Sequence, residues 1–441
     1  MPQKGAMLQR ENAPKGECSE GRMLQREQWK TDMEQSRRIT GDLKTLLKIA
    51  VMFGATNILA RNFINVFLIR SMDNILLIVG KEMLFAMVTL IAFVIGTKLL
   101  SKINVTTLMR KGALLILLYY LALLLLQNWL HLFIVPLGIV NGFGNGLYWL
   151  GFNIILTRQA SDENRGTFFG LQKVFNNLSG IFIPTIAGFI IVSFTDFTGY
   201  YILFIIAVLL LVWLCLISFK IAGFKSEKQL DAIPVLKVKG NKYWDANKLY
   251  SASWGFGMTL FTQTFALFAF AITASELRMG NYNSLMAIIS LFSAIWVTRT
   301  MRPKNRKNVH RVATVVYFVV LMSLGLFANE PALLMAIIGV GLVQNWGMNI
   351  AQAVKFQLST LAEERVQYRT NRETLHTREE FLVATEFPIA MGRIAAQMLA
   401  LVIAAILPLV TAYRVLIIIC SVCWIFDHFV VKFKVNWFEE R

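Results

Sequence analysis

Twelve apolar segments run along this 441-residue chain, and its lysines and arginines cluster in every second gap between them. The segments are near the roughly 20 residues that a helix needs to cross the hydrocarbon core of a bilayer. In lipid every backbone N–H and C=O must find a partner within the protein, and a helix achieves this within one segment. The pattern therefore predicts an all-α integral membrane protein with twelve transmembrane helices. Spans are expected at 45–69, 74–96, 111–127, 131–156, 168–193, 200–221, 249–274, 281–299, 311–328, 332–357, 381–406 and 409–431. The hydrophobic share is 56%, above the roughly 45–50% of soluble domains.

The distribution of charge predicts orientation. Lys98, Lys102, Arg110 and Lys111 follow the second span, Arg158 and Arg165 the fourth, and Arg302, Lys304, Arg306 and Lys307 the eighth. A run of lysines from Lys220 to Lys248 follows the sixth, and Arg365, Arg369, Arg372 and Arg378 follow the tenth. The opposite gaps hold few basic residues. The positive-inside rule then places both termini in the cytoplasm of a plasma or inner membrane. The net charge of +18 is spread over short loops beside anionic lipid, which argues against a nucleic-acid-binding domain.

The long central stretch divides the spans six and six. The expected units are a polar, mostly disordered cytoplasmic tail (1–42), a first six-helix bundle (43–222), a cytoplasmic linker (223–248), a second bundle (249–432) and a tail (433–441). The halves echo each other. The fourth span reads Asn141-Gly142-Phe143-Gly144-Asn145-Gly146-Leu147-Tyr148-Trp149, and the tenth reads Gly339-Val340-Gly341-Leu342-Val343-Gln344-Asn345-Trp346. Each is followed by a charged loop, Asp162-Glu163-Asn164-Arg165 and Glu363-Glu364-Arg365. Repeated halves with a site at their interface are a transporter plan.

These features together resemble the major facilitator superfamily over about residues 43–432. In the family's signature region between helices two and three stand Gly96, Lys98, Lys102, Arg110 and Lys111, with Ser101 near the place of the signature Asp. The run Gly180-Ile181-Phe182-Ile183-Pro184-Thr185-Ile186-Ala187-Gly188 is similar to the family's antiporter motif, with Ile183 replacing its second Gly. The resemblance implies two pseudo-symmetric bundles and rocker-switch transport through a central cavity. The drive would be an ion gradient or the substrate's own.

Ionisable groups inside spans are costly, and they usually face the bundle interior. Arg61, flanked by Asn57 and Asn65 at i−4 and i+4, forms one polar stripe that reads either as a substrate contact or as an inter-helix lock. Glu82 falls at similar depth, so an Arg61–Glu82 pair and a proton-carrying role for Glu82 are both open. Helix eleven offers Glu386, as gate or proton group, and Arg393 as the cavity charge of the second half. Further cavity candidates are Asn145, Tyr148, Trp149, Asn153, Asn176, Gln263, Gln344, Asn345, Trp346 and Asn349, whose alternative role is helix contact. Asp162, Glu163, Arg165, Glu363, Glu364 and Arg365 read as a cytoplasmic gate.

Cys18, Cys215, Cys420 and Cys423 form no disulfide framework, and the four histidines share no metal-ligand spacing. No metal, cofactor or enzymatic constellation is expected. The expected function is secondary active transport, first as proton-coupled export of small amphipathic molecules by a monomer. The alternatives are an uptake symporter for a sugar, peptide or anionic metabolite, and a lipid or glycolipid flippase. The expected partners are a small-molecule substrate, protons or another coupling ion, and membrane lipid.

Overall fold

A computed structural model describes residues 41–72, 74–126, 129–160, 162–225, 232–300, 306–370 and 378–430. The expected tails lie, apart from 41 and 42 at the first helix, outside the described residues. Among those described, the regular structure is helical throughout, with no strand.

The first bundle comprises α1 (Gly41–Met72), α2 (Ile75–Leu99), α3 (Val105–Leu125), α4 (Leu130–Gln159), α5 (Asp162–Ser193) and α6 (Thr198–Ser218). A short linker helix, Ala232–Leu236, precedes the second bundle. That bundle comprises α7 (Lys242–Thr273), α8 (Glu276–Thr300), α9 (Arg306–Phe327), α10 (Glu330–Thr370), α11 (Arg378–Ile406) and α12 (Leu409–Phe429). Among the described residues, eleven helical stretches are long and apolar enough to cross a membrane. The twelfth long helix, α10, spans 41 residues and packs against α7, α8 and α9 inside the second bundle.

Contacts within the two bundles repeat. In the first, α1 packs on α5 and α6, α4 on α2 and α3, and α3 on α6. In the second, α7 packs on α11 and α12, α10 on α8 and α9, and α9 on α12. The bundles meet mainly along two seams, α2 with α11 and α5 with α8. Without a hydrophobic force between helices in lipid, close packing needs small residues. The glycines of α4 supply them. A Cβ on Gly142 or Gly146 would sit 2.7 or 2.6 Å from the Phe85 or Thr89 carbonyl oxygen of α2. Gly144 and Gly151 press α3 in the same way, at the Gly112 carbonyl and the Met109 nitrogen.

Helix ends differ from expectation where polar residues continue a helix. α7 starts at Lys242 because Asn241 caps it, its Oδ1 accepting from the backbone N–H groups of Tyr243 and Trp244 at 3.2 Å. The Asn241 amide also donates to the Ala362 carbonyl of α10 at 2.8 Å. The two charged segments expected as loops are helical. Glu363, Glu364 and Arg365 lie in α10, which meets no glycine or proline between Ser359 and Thr370. Asp162, Glu163 and Arg165 begin α5, where acids favour the positive end of a helix.

The region between α2 and α3 holds without the signature acid. Arg110 donates to the Ser218 and Ile221 carbonyls at 2.7 and 3.2 Å and lies 4.4 Å over the Phe219 ring. The carbonyl-rich end of α6 thus takes the guanidinium.

Candidate functional site

Between the bundles lies a cavity of about 390 Å³. Its wall comes from α1, α2, α3 and α4 on one side and α7 and α11 on the other. The end of the molecule that carries the linker helix is called the linker end, and the end with Met72, Tyr200 and Glu276 the far end.

The polar centre of the first-bundle wall is an ion pair. Lys81 Nζ lies 2.5 Å from Glu82 Oε1, and it also reaches Asn65 Oδ1 at 3.5 Å. Lys81 is only 3% exposed. Its stem runs across Gly138 of α4, where a Cβ would meet the Lys81 Cγ at 2.9 Å. Two adjacent residues of one helix point in different directions. The long lysine stem makes their meeting at one spot possible. Desolvation of either charge alone is costly, so the pair holds itself together.

Around the pair stands a polar and aromatic lining. Asn145 donates to the Asn141 carbonyl at 3.0 Å and to its side-chain oxygen at 2.9 Å, while Asn57 donates to the Phe53 carbonyl at 3.0 Å. The Phe53 and Trp149 rings meet edge to face with centroids 5.5 Å apart. Across the cavity, α7 presents Trp254 and Gln263 and α11 presents Arg393 and Gln397, one turn apart. Arg393 makes no ion pair among the described residues. Gln397 is 2% exposed, and its Oε1 has no hydrogen-bond partner among the described residues.

Of the residues expected from sequence, Asn57, Asn65, Glu82, Asn145, Trp149, Gln263 and Arg393 line this cavity. Others do not. Tyr148 is fully buried behind the wall, stacked on Phe53 at 4.0 Å. Asn345 is buried and donates to Ser290 Oγ at 2.7 Å, tying α10 to α8. Trp346 packs on Trp296, centroids 5.0 Å apart. Asn176 Oδ1 abuts Gly54 of α1. Asn153, Gln344 and Glu386 are half-buried and outside the wall. Tyr148, Asn176, Asn345 and Trp346 thus meet neighbouring side chains or helices, a common fate of such groups in a bundle.

The side chains of Arg61, Asn349, Asp162, Glu163 and Arg165 lie outside the described residues, so the Arg61–Glu82 pair is not described. Glu82 is paired with Lys81. In the expected gate, Glu364 is exposed, Glu363 is half-buried, and the Arg365 guanidinium lies 5.8 Å from the Tyr243 ring of its own bundle.

Sequence reasoning passed over two features. Lys81 is an ionisable residue inside the expected second span, beside Glu82, and it was not taken as a cavity residue. The second is a far-end contact between the bundles. The Arg70 Nη1 of α1 lies 2.8 Å from Glu276 Oε1 of α8, and the Tyr200 hydroxyl of α6 donates to that oxygen at 2.7 Å. Glu276 is 3% exposed. The Arg70 guanidinium also stands 5.5 Å from the Phe270 ring of α7. Beside it the α5–α8 seam is tight. A Cβ on Gly188 would come 2.7 Å from the Glu276 carbonyl, one on Gly280 would strike the Pro184 carbonyl, and Thr185 donates to Ser284 at 2.8 Å. Three of these residues belong to the motif-like run of α5.

Comparison with known proteins agrees with this architecture. A family model described as Major Facilitator Superfamily matches residues 52–362. Bacillus subtilis (strain 168) YqgE, an uncharacterized protein, is 23% identical over 385 residues, covering 85% of this chain and 87% of its own. A second uncharacterized protein, in the sodM 3′ region of Geobacillus stearothermophilus, is 26% identical over 175 residues, 40% of this chain and 80% of that one. Among solved structures, the nucleoside transporter NupG superposes with TM-score 0.62 at 13% identity, over 90% of this chain and 100% of that one. A structure described under substrate recognition in proton dependent oligopeptide transporters gives TM-score 0.65 at 11% identity, over 90% and 98%.

Proposed function

Because this chain belongs to the major facilitator superfamily, we propose that it is a proton-coupled secondary transporter that takes up a small amphipathic molecule by alternating access. The observation that carries this reading is the seam cavity with the Lys81–Glu82 pair in its wall. A carboxylate paired with a lysine in a low-dielectric site can gain a proton only when the lysine's charge is met by something else. Protonating Glu82 leaves Lys81 and Arg393 as two cations facing one cavity. An anionic group on the cargo relieves that excess, so proton and cargo bind best together. By linkage the preference is reciprocal. The two then travel in the same direction, which favours uptake over the export that the α5 motif suggests.

The basic gaps support a cytoplasmic linker end and a far end facing outward. Arg70–Glu276 and the α5–α8 seam then close the outward side. Opening requires the bundles, divided near the 219–241 linker, to rock apart there, breaking the latch. The aromatic wall suits the apolar part of a cargo, and the amides orient it.

The test is reconstitution in liposomes with an inward proton gradient, reading internal pH while candidate amphipathic acids are added. Cargo-dependent acidification that disappears in Glu82→Gln is expected. Cargo accumulation without proton movement would refute the coupling, and alkalinisation would restore the export reading.

A further inference from the structure

The uptake reading leaves open which part of a cargo the second bundle holds, and the cavity's uncompensated groups answer it. We propose that the cargo is a monocarboxylate bearing a hydrogen-bond donor next to its carboxylate, held head-first on Arg393 and Gln397 of α11. The inference rests on the uptake reading for its transport consequence but stands on separate observations.

Charge comes first. Among the described lining residues the charged side chains are Lys81, Glu82 and Arg393. Lys81 and Glu82 neutralise one another at 2.5 Å. Arg393 faces them from the other bundle and makes no ion pair among the described residues. A guanidinium at the edge of a membrane-embedded cavity calls for an anion, and its planar fork matches a carboxylate in two parallel hydrogen bonds. A zwitterion fits less well, because the acid that would meet its ammonium group is already held by Lys81.

The second observation is a hydrogen-bond vacancy. Gln397 stands one helical turn from Arg393, is 2% exposed, and lines the cavity with an Oε1 lacking a partner among the described residues. A buried amide oxygen without a partner is a standing cost, and it is met by a donor on whatever fills the cavity. A hydroxyl or N–H beside the carboxylate reaches Gln397 while the carboxylate stays on Arg393. The opposite wall, with Phe53, Phe85, Tyr120 and Trp149, offers aromatic surface to the rest of the molecule.

The test uses the full chain in lipid nanodiscs and a matched set of ligands. These are 3-phenyllactate, its amide, 3-phenylpropanoate, which lacks the hydroxyl, and phenylalanine. Binding is read by thermal shift and by calorimetry. Phenyllactate should bind at least tenfold more tightly than its amide and than phenylalanine, and measurably more tightly than phenylpropanoate. Arg393→Gln should erase the preference for acid over amide, and Arg393→Lys, a variant that keeps the charge, should retain part of it. Gln397→Leu should erase the preference for phenyllactate over phenylpropanoate alone. Equal affinity for acid and amide in the wild type, no binding of any member, or an unaltered preference in Arg393→Gln would overturn the assignment. Lysophosphatidate, which presents an anionic lipid headgroup, should not compete, and competition by it would replace the carboxylate with a lipid phosphate. If the preferences appear while liposomes under an inward proton gradient accumulate nothing, the head-group seat stands and the proton-coupled uptake reading falls.

Discussion

Replacing Glu276 should open the far end of the molecule by an amount the latch geometry sets. In Glu276→Gln the amide oxygen still accepts from the Tyr200 hydroxyl, and only the charge toward Arg70 is lost. A hydrogen bond to a charged group is worth ~1.5–3 kcal/mol. The Arg70 side chain is 43% exposed, so solvent screening reduces its share to about 1 kcal/mol. In Glu276→Ala the Tyr200 hydroxyl, which is fully buried, also loses its acceptor, adding roughly 1–3 kcal/mol. The latch spans the two bundles, so its loss falls on the far-end closed state alone. The open population should rise about fivefold for Gln and roughly thirtyfold or more for Ala. Ser284 is 6% exposed in the α5–α8 seam, which makes Ser284→Cys in a cysteine-free background a reporter. Its rate of reaction with a water-soluble maleimide follows the open population. An unchanged rate in Glu276→Ala, in protein that remains folded and monodisperse, would refute the latch.

Other substitutions separate transport from packing. Gly188→Val places carbon against the Glu276 carbonyl, so it should cost ~1–3 kcal/mol of closed-state packing, raise Ser284→Cys labelling and lower the Tm. Lys81→Met leaves Glu82 unpaired and should abolish transport, whereas Lys81→Met with Glu82→Gln should recover thermal stability without recovering proton coupling, as measured by melting and liposome pH. Asn345→Ala should cost about 0.6–1.7 kcal/mol of stability with transport affinity unchanged, while Asn145→Ala should raise the transport KM. In intact cells, cysteine at Thr198 should label from outside and cysteine at Asn308 only after permeabilisation. The reverse pattern would invert the assigned orientation.

The helices were legible because span length and apolarity are local properties of a segment. So was the two-bundle plan, since charge alternation and the echo of α4 in α10 are visible in one dimension. The helix ends were less so. The start of α7 and the continuation of α10 mix charged and amide residues with a few apolar ones, so their mean hydropathy is low although they are helical. The site was legible in part, through ionisable residues and amides in spans, which found Glu82, Arg393, Asn57, Asn65, Asn145 and Gln263. It failed where rotation about the helix axis decides the role. Tyr148 and Trp149 are neighbours in sequence, yet Trp149 lines the cavity and Tyr148 lies behind it. The far-end latch joins three helices from two bundles. No spacing along the chain brings Arg70, Tyr200 and Glu276 together.

The central claim is that the two bundles rock about the cavity, closing one end as the other opens. Paired distances report this most directly. One spin-label pair at Ser71 and Ala274 spans the far end, and another at Thr167 and Glu364 spans the linker end, all four being exposed positions. Measured in the same nanodisc preparation with and without a proton gradient and transported cargo, the two distances should change in opposite senses, the far-end pair lengthening as the linker-end pair shortens. Actively transporting protein in which both distances stay fixed, or lengthen together, would contradict the account.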